Sequence, residues 1–293
     1  MGRGGGRPGA FPVSPVELRC GTRAVGTYVH EPDLPARLSP RPYLHPLTTL
    51  GGTQVTELMP ADHLHHLGAS VAVPDLGGYN FWGGRTFVHG QGPTELDNHG
   101  VQRHTRWVGL SATGFDEELA WTAQGQLLLV ERRTVGLREV SPTAWRLELA
   151  FTLTNATGRP LRLASPAANG RPGAGYGGFF WRAPKHVRPP RVYASDGAEG
   201  ERAVHGRHAA WMGMAGDGWT LLLGGADPWF VRAGQYPGVG SGLAWAQPLT
   251  VSAAEPVTRR VVTVIADGKL GPAEAGELFR ASATPPAPPH PRP

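Results

Sequence analysis

The stretch WRLELAFTLTN constrains this chain more than any other. Trp145, Leu147, Leu149, Phe151 and Leu153 alternate with Arg146, Glu148, Ala150, Thr152 and Thr154. A period of two puts one set on a buried face and the other in water, which suits a strand and not a helix. One dry and one wet face is the mark of an antiparallel sheet. Less regular runs of the same kind are GTRAVGTYVH, GQLLLVERRTV, RPLRLA, GWTLLLGG and RRVVTVIADG, bounded by turn pairs such as Asp196-Gly197 and Asp267-Gly268. The 42 glycines and 29 prolines are scattered between these runs, as in a turn-rich β protein.

The expected fold is therefore all-β: a large antiparallel β-sandwich with few short helices, formed as a single domain over residues 16–282. Residues 1–15 read as a flexible basic leader and residues 283–293 as a proline-rich tail. The one helical segment is GPAEAGELFRASA, residues 271–283, with Pro272 in its first turn and Leu278 and Phe279 facing inward. It is expected to pack across the end of the sheets.

Composition narrows the function. With 40% hydrophobic and 17% charged residues the chain can bury a core. The net charge of +5 comes mostly from arginine, with Lys185 and Lys269 the two lysines, and no run of five basic residues occurs. A nucleic-acid partner is not expected. The single cysteine, Cys20, rules out an internal disulfide framework and fits a reducing compartment. No apolar stretch suits a signal peptide or reaches the ~18 residues of a membrane span, so a cytoplasmic location without a membrane partner is expected. Residues 173–178 match G-x-G-x-x-G, but no strand precedes them and Pro184 arrives too soon for a helix, so no nucleotide cofactor is expected. Oligomeric state is not readable at this level.

The chemistry concentrates in Asp62-His63-Leu64-His65-His66. If this run is extended, His63 and His65 share a face; if it turns, His63 and His66 converge. Imidazoles bind divalent metals and exchange protons near neutral pH, so three readings stay open. His63, His65 and His66 are metal-ligand candidates; His65 or His66 is a proton-transfer candidate oriented by Asp62; or all are hydrogen-bonding residues at a strand end. The run has neither the glutamate of a metalloprotease helix nor that of a cupin motif. His45, His89, His99 and His104 lie on segments that could reach the same face. Aromatic residues cluster with glycines in GGYNFWGG, GYGGFFWRAP and GGADPWF. Such surfaces suit the C–H faces of a sugar, though core aromatics beside tight turns read the same way.

Taken together, RPYLHPLTTLGGTQVTELMPADHLHHLG, VPDLGGYNFWGGRTFV, LDNHGVQRH, SPAANGRPGAGYGGFFWRAP and GADPWFVR resemble the bacterial family of methane oxygenase PmoA-like proteins over residues 15–280. The resemblance implies a sandwich similar to the galactose mutarotases and a role in sugar catabolism. It also implies site candidates at Arg41, Tyr43, His45, Asp62, His63, His65, His66, Asn80, Trp82, Asn98 and His99.

The expected function is an enzyme acting on a sugar or oxidised (keto) sugar, by histidine acid/base or metal-assisted lyase, hydrolase or isomerase chemistry. Asp62, His65, His66 and His45 are the catalytic candidates. Arg41, Tyr43, Asn80, Trp82, Asn98, His99, Arg171, Tyr176 and Trp229 are the sugar-binding candidates. A divalent metal would be the cofactor if the histidines bind one. The alternatives are a non-catalytic carbohydrate-binding sandwich and a metal-dependent oxygenase, in which Asp62 would join two histidines on one metal face.

Overall fold

The alternation that opens the sequence reading becomes the strand Ala144–Asn155 of a computed structural model that describes residues 15–283. Trp145, Leu147, Leu149, Phe151 and Leu153 are all at most 2% exposed. The strand lies inside an eight-stranded antiparallel sheet, paired with Val257–Asp267 on one side and Gln126–Ser141 on the other. From edge to edge this sheet runs Arg191–Ala194, Met212–Gly216, Trp219–Gly224, Val257–Asp267, Ala144–Asn155, Gln126–Ser141, Gly114–Ala123 and Val101–Ser111.

A seven-stranded antiparallel sheet packs against it, in the order Val16–Cys20, Arg23–Val29, Tyr43–Leu47, Ala69–Ala72, Gly178–Arg182, Gly238–Ser241 and Trp229–Arg232. One continuous core takes Leu47, Val71, Trp181 and Val239 from the seven-stranded sheet and Trp121, Leu149, Leu221 and Ile265 from the eight-stranded one. The molecule is thus the all-β antiparallel sandwich that the period of two anticipated. The expected leader and tail fall at 1–14 and 284–293, outside the described residues, apart from their bordering positions 15 and 283.

The helix forms at Pro272–Ala281, where the Glu274 carboxylate accepts the Gly271 N–H at 3.1 Å. It does not cross the end of the sheets. Leu278 and Phe279 pack with Trp211, Leu222, Val262 and Val264 on the outer face of the eight-stranded sheet. These sheet residues alternate with the inward-facing Leu221, Val261 and Ile265, so that face was apolar and needed a cover. Among the described residues no helix is long and apolar enough to cross a membrane.

The outer face of the seven-stranded sheet carries its own aromatic layer. In Gly178–Arg182, Phe179 and Trp181 point into the core, while Phe180 joins Trp82, Phe230 and Tyr236 outside. In Trp229–Arg232, Trp229 and Val231 are core and Phe230 is outside. Gly238, on the strand between them, pairs with both Arg182 and Arg232. A Cβ at Gly238 would meet the Tyr236 ring at 2.8 Å, so glycine there leaves room for the ring.

Candidate functional site

The segment 59–66 turns twice instead of running extended. His63 N donates to Pro60 O and His66 N donates to His63 O, each at 2.9 Å. The turn stacks the His63 and His66 rings at 4.5 Å with 13° between their planes, and places His65 4.9 Å from His66. Gly84, at φ +68°, packs beneath His65, where a Cβ would come within 2.8 Å of His65 Nδ1.

Arg182, from the strand Gly178–Arg182, organises this cluster from below and is fully buried. Its Nε donates to Glu57 at 3.0 Å and its Nη2 to Asp62 at 3.3 Å. Its Nη1 lies 3.3 Å from His66 Nδ1, and its plane sits 4.7 Å over the Tyr236 ring. Asp62 Oδ2 also lies 3.3 Å from His63 Nδ1, within ion-pair range but off the line of a hydrogen bond.

The cluster floors a cleft of about 1080 Å³ on the outer face of the sheet. Trp82, Tyr176, Phe230 and Tyr236 wall it, with Trp82 and Tyr176 at 4.6 Å and Tyr176 and Phe230 at 5.4 Å. A second pocket of about 570 Å³ opens beside His30 and His104. No Trp, Tyr or Phe lines it, and His104 Nδ1 is engaged by Glu117 at 2.7 Å. The cleft is therefore the stronger candidate site.

Burial sets the protonation state of His65 and His66. Burial, reinforced by Arg41, His63, His99 and Arg182, pushes His65 down to about 3. Burial and the same neighbourhood hold His66 well below the usual histidine range. Both are neutral at pH 7 and are poor bases. For Asp62, burial pushes the carboxyl up, but Arg182 and His63 outweigh it and hold the group below its ordinary value. Burial drives the Tyr236 hydroxyl up to about 12, against the pull of Arg232 and Arg182. Burial likewise raises Tyr176, opposed by Arg171.

The metal reading meets an obstacle in this geometry. A ligating imidazole directs its lone pair in the ring plane at about 2.0–2.1 Å, and parallel stacked rings cannot both aim at one ion between them. Among the described residues no set of three or more His, Cys, Asp or Glu side chains is arranged to hold a metal ion. The donor set of His63, His65 and His66 does not fit one as it stands.

Of the residues singled out in the sequence, Asp62, His63, His65, His66, Trp82, Arg171 and Tyr176 line the cleft. Asp62 faces His63 and Arg182, not His65 or His66. Arg41, 1% exposed, gives its guanidinium to the carbonyls of Leu38, Ser39, Trp82 and His65, and so ties the loops behind the cleft. Asn80 accepts the Trp82 and Gly83 N–H groups at 2.8 Å and donates to Thr86, while Asn98 bonds Gly78 and Thr86. His99 holds Gly84 O at 2.8 Å. These four support the wall without lining it. His45 bonds Thr56, its basicity lowered by burial. Tyr43 is buried, with its hydroxyl raised by that burial. Trp229 is core, with Nε1 donating to Ala209 O, and Phe230 takes the place expected for it.

Sequence reasoning passed over Arg182, Arg232, His205, Phe230 and Tyr236. A signal was present: FWR at 180–182 and FVR at 230–232 share one spacing, which on strands places an aromatic and an arginine side by side on the same face.

The expected PmoA-like membership is not what the family comparison finds. The model that matches, over residues 15–280, is described as a family of unknown function, DUF6807. No curated protein matches the chain. The oxygenase reading and the mutarotase likeness, which rested on that resemblance, lose their support, and the residues it carried over stand on geometry alone. The matched span takes in both sheets, the cleft and the covering helix, and the chain belongs to the DUF6807 family.

Proposed function

We propose that the cleft binds a sugar or an oxidised sugar and moves a proton on it, with His63 as the base. The observation that carries this reading is the Asp62–His63 contact at 3.3 Å beneath a wall of four aromatic side chains. His63 is 33% exposed at its side chain, so it is reachable from the cleft, and Asp62 would hold the imidazolium that forms. With Asp62 on the Nδ1 side, Nε2 takes the proton. Trp82, Tyr176 and Phe230 would stack on the C–H face of the ring, while the neutral His65 and His66 bond its hydroxyls.

The step balances without a further reagent. His63 removes a proton from the carbon next to a carbonyl, and the electron pair moves to the carbonyl oxygen as an enolate. Returning the proton from His63 to the same face exchanges it with solvent and leaves the sugar unchanged. Expelling a β oxygen gives elimination, with the Tyr236 hydroxyl supplying the proton to the leaving group. Tyr236, pushed up to about 12, keeps that proton at neutral pH.

One observation favours a second reading, a non-catalytic sugar-binding cleft: two of the three imidazoles are held neutral and have little basicity. Deuterium uptake from heavy water, followed by NMR over a panel of neutral, keto and acidic sugars, separates the two. Uptake that disappears in His63→Gln and Asp62→Asn supports proton transfer. Binding with no uptake in any sugar leaves only the binding role.

A further inference from the structure

The cleft is lined by more cations than its anions can match. Arg85, Arg171, Arg202 and Arg232 face it, against Asp62 and Glu201. Asp62 is engaged by Arg182 on the floor, and Glu201 accepts the backbone N–H groups of Ala233 and Gly234 at 2.8 and 3.0 Å. Arg85 pairs with Glu95 at 2.9 Å. Among the described residues no carboxylate comes within 4 Å of Arg171 or Arg202, and Arg232 reaches Glu201 only at 3.9 Å.

Arg232 is held in place at the cleft. It lies on the outer face of its strand, 4.6 Å over the Phe230 ring; its Nη1 donates to Val231 O at 2.8 Å and lies 3.1 Å from His205 Nδ1, and its Nη2 reaches Gly173 O at 3.4 Å, so the Nε hydrogen and the second Nη2 hydrogen are the ones without a partner among the described residues. His205 braces it. The Val231 N–H donates to His205 Nδ1 at 3.1 Å, and His205 Nε2 faces Gly173 O at 2.7 Å, so the ring spans the strand and the loop that carries Arg171. That loop is closed by turns, with Arg171 N donating to Pro166 O at 2.8 Å and Ala174 N to Arg171 O at 3.1 Å. Arg171 acts on the Tyr176 hydroxyl from close range, which places its charge at the aromatic wall.

We propose that the ligand of this cleft is an anionic sugar, whose carboxylate or phosphate ester is gripped by Arg171 and Arg232 while the ring lies against Trp82 and Tyr176. This rests on the sugar reading of the cleft and names the class of sugar. A guanidinium presents its donors as a planar fork matched to the paired oxygens of either group. Arg202, exposed at the rim, adds the long-range attraction that draws an anion in. A carboxylate next to the reacting carbon would also have its charge neutralised by the same arginines, which favours removal of the neighbouring proton by His63.

The test is titration calorimetry of the full chain with glucose and galactose, their uronates, their 6-phosphates, and inorganic phosphate, at two ionic strengths. At least one acidic sugar is expected to bind about tenfold or more tightly than its neutral parent, with the advantage shrinking in salt. Arg171→Gln and Arg232→Gln should each remove about tenfold of that affinity while leaving the neutral parent within about twofold. Arg171 is exposed and its replacement spares the core, so its variant reports on binding with the fold intact, as a melting curve verifies. A preference for uronates over 6-phosphates, or the reverse, identifies the anion. Equal binding of neutral and acidic sugars overturns the inference and leaves the sugar reading standing. Inorganic phosphate binding as tightly as the 6-phosphates removes the sugar and keeps an anion site. If none of the probes binds, both readings fall.

Discussion

Arg182 Nη1 lies 3.3 Å from His66 Nδ1, and since a guanidinium can only donate, that nitrogen must carry the lone pair. His66 is thereby held neutral, with His65 beside it in the same state. These two residues are held as imidazole, not imidazolium.

Acid should therefore weaken the fold through these two residues. An unfolded histidine titrates near ~6.5, whereas His65 in the folded chain is lowered to about 3 and His66 is well below the ordinary value. Between these limits the unfolded chain binds protons that the folded chain refuses. Their contribution is full above about pH 6.5 and is lost as pH falls toward about 3. Urea unfolding at pH 7.5 and pH 5 should differ by on the order of 2 kcal/mol through His65, with His66 acting in the same direction, and His65→Gln should remove its share of the slope. Identical slopes in the variant and the parent would contradict the buried neutral state of His65.

Replacing Arg182 should cost more than any change at the cleft surface. Arg182→Met leaves Glu57 and Asp62 without their cation, and His66 and Tyr236 without a neighbour. Both carboxylates reach solvent, which softens the loss to about 2 kcal/mol or more. Equilibrium unfolding measures it. The Asp62 carboxyl should also titrate at higher pH in this variant, as read by NMR.

The neighbours Trp229 and Phe230 should respond in opposite ways. Trp229→Phe shrinks a core side chain and removes the bond to Ala209 O, costing about 2 kcal/mol of stability and leaving ligand affinity unchanged. Phe230→Leu should weaken binding of an acidic sugar severalfold, since the ring walls the cleft and supports Arg232. Paired melting and calorimetry on the two variants checks this. A loss of affinity in Trp229→Phe with none in Phe230→Leu would reverse the assignment of their faces.

Asn80 should behave as a brace. Its Oδ1 accepts two backbone N–H groups and its Nδ2 donates to Thr86 and Gly84. Asn80→Asp keeps the acceptors but loses the donor in a buried place, at a cost of about 1–3 kcal/mol. A shift in Trp82 fluorescence should accompany it, because the turn that aims Trp82 begins at Asn80.

The fold was legible because the period of two extends over eleven residues in WRLELAFTLTN, long enough to name the strand and its wet and dry faces. The histidine cluster was legible because it is contiguous. Its internal roles were not, since whether Asp62 serves His63 or His65 depends on a double turn whose hydrogen bonds leave no distinct residue pattern. The face of Trp229 was hidden for a different reason. In the doublet Trp229-Phe230 either ring could be the inner one, and the choice is made by pairing with Gly238–Ser241, which local sequence does not contain. Arg41 and Asn80 entered as site candidates through the family resemblance, and no local pattern showed what their side chains bind. Their donors are already spent on the protein's own carbonyls and hydroxyls.

The register of Gly178–Arg182 and Trp229–Arg232 divides each strand into two populations with separate fates. Positions 179, 181, 229 and 231 answer to the interior, with 180 packed beneath the cleft, and the second set, 230 and 232, lines the cleft. Drift at the second set can retune recognition without renegotiating the first. A directed library confined to 230 and 232 would therefore explore new specificities on a scaffold that stays the same.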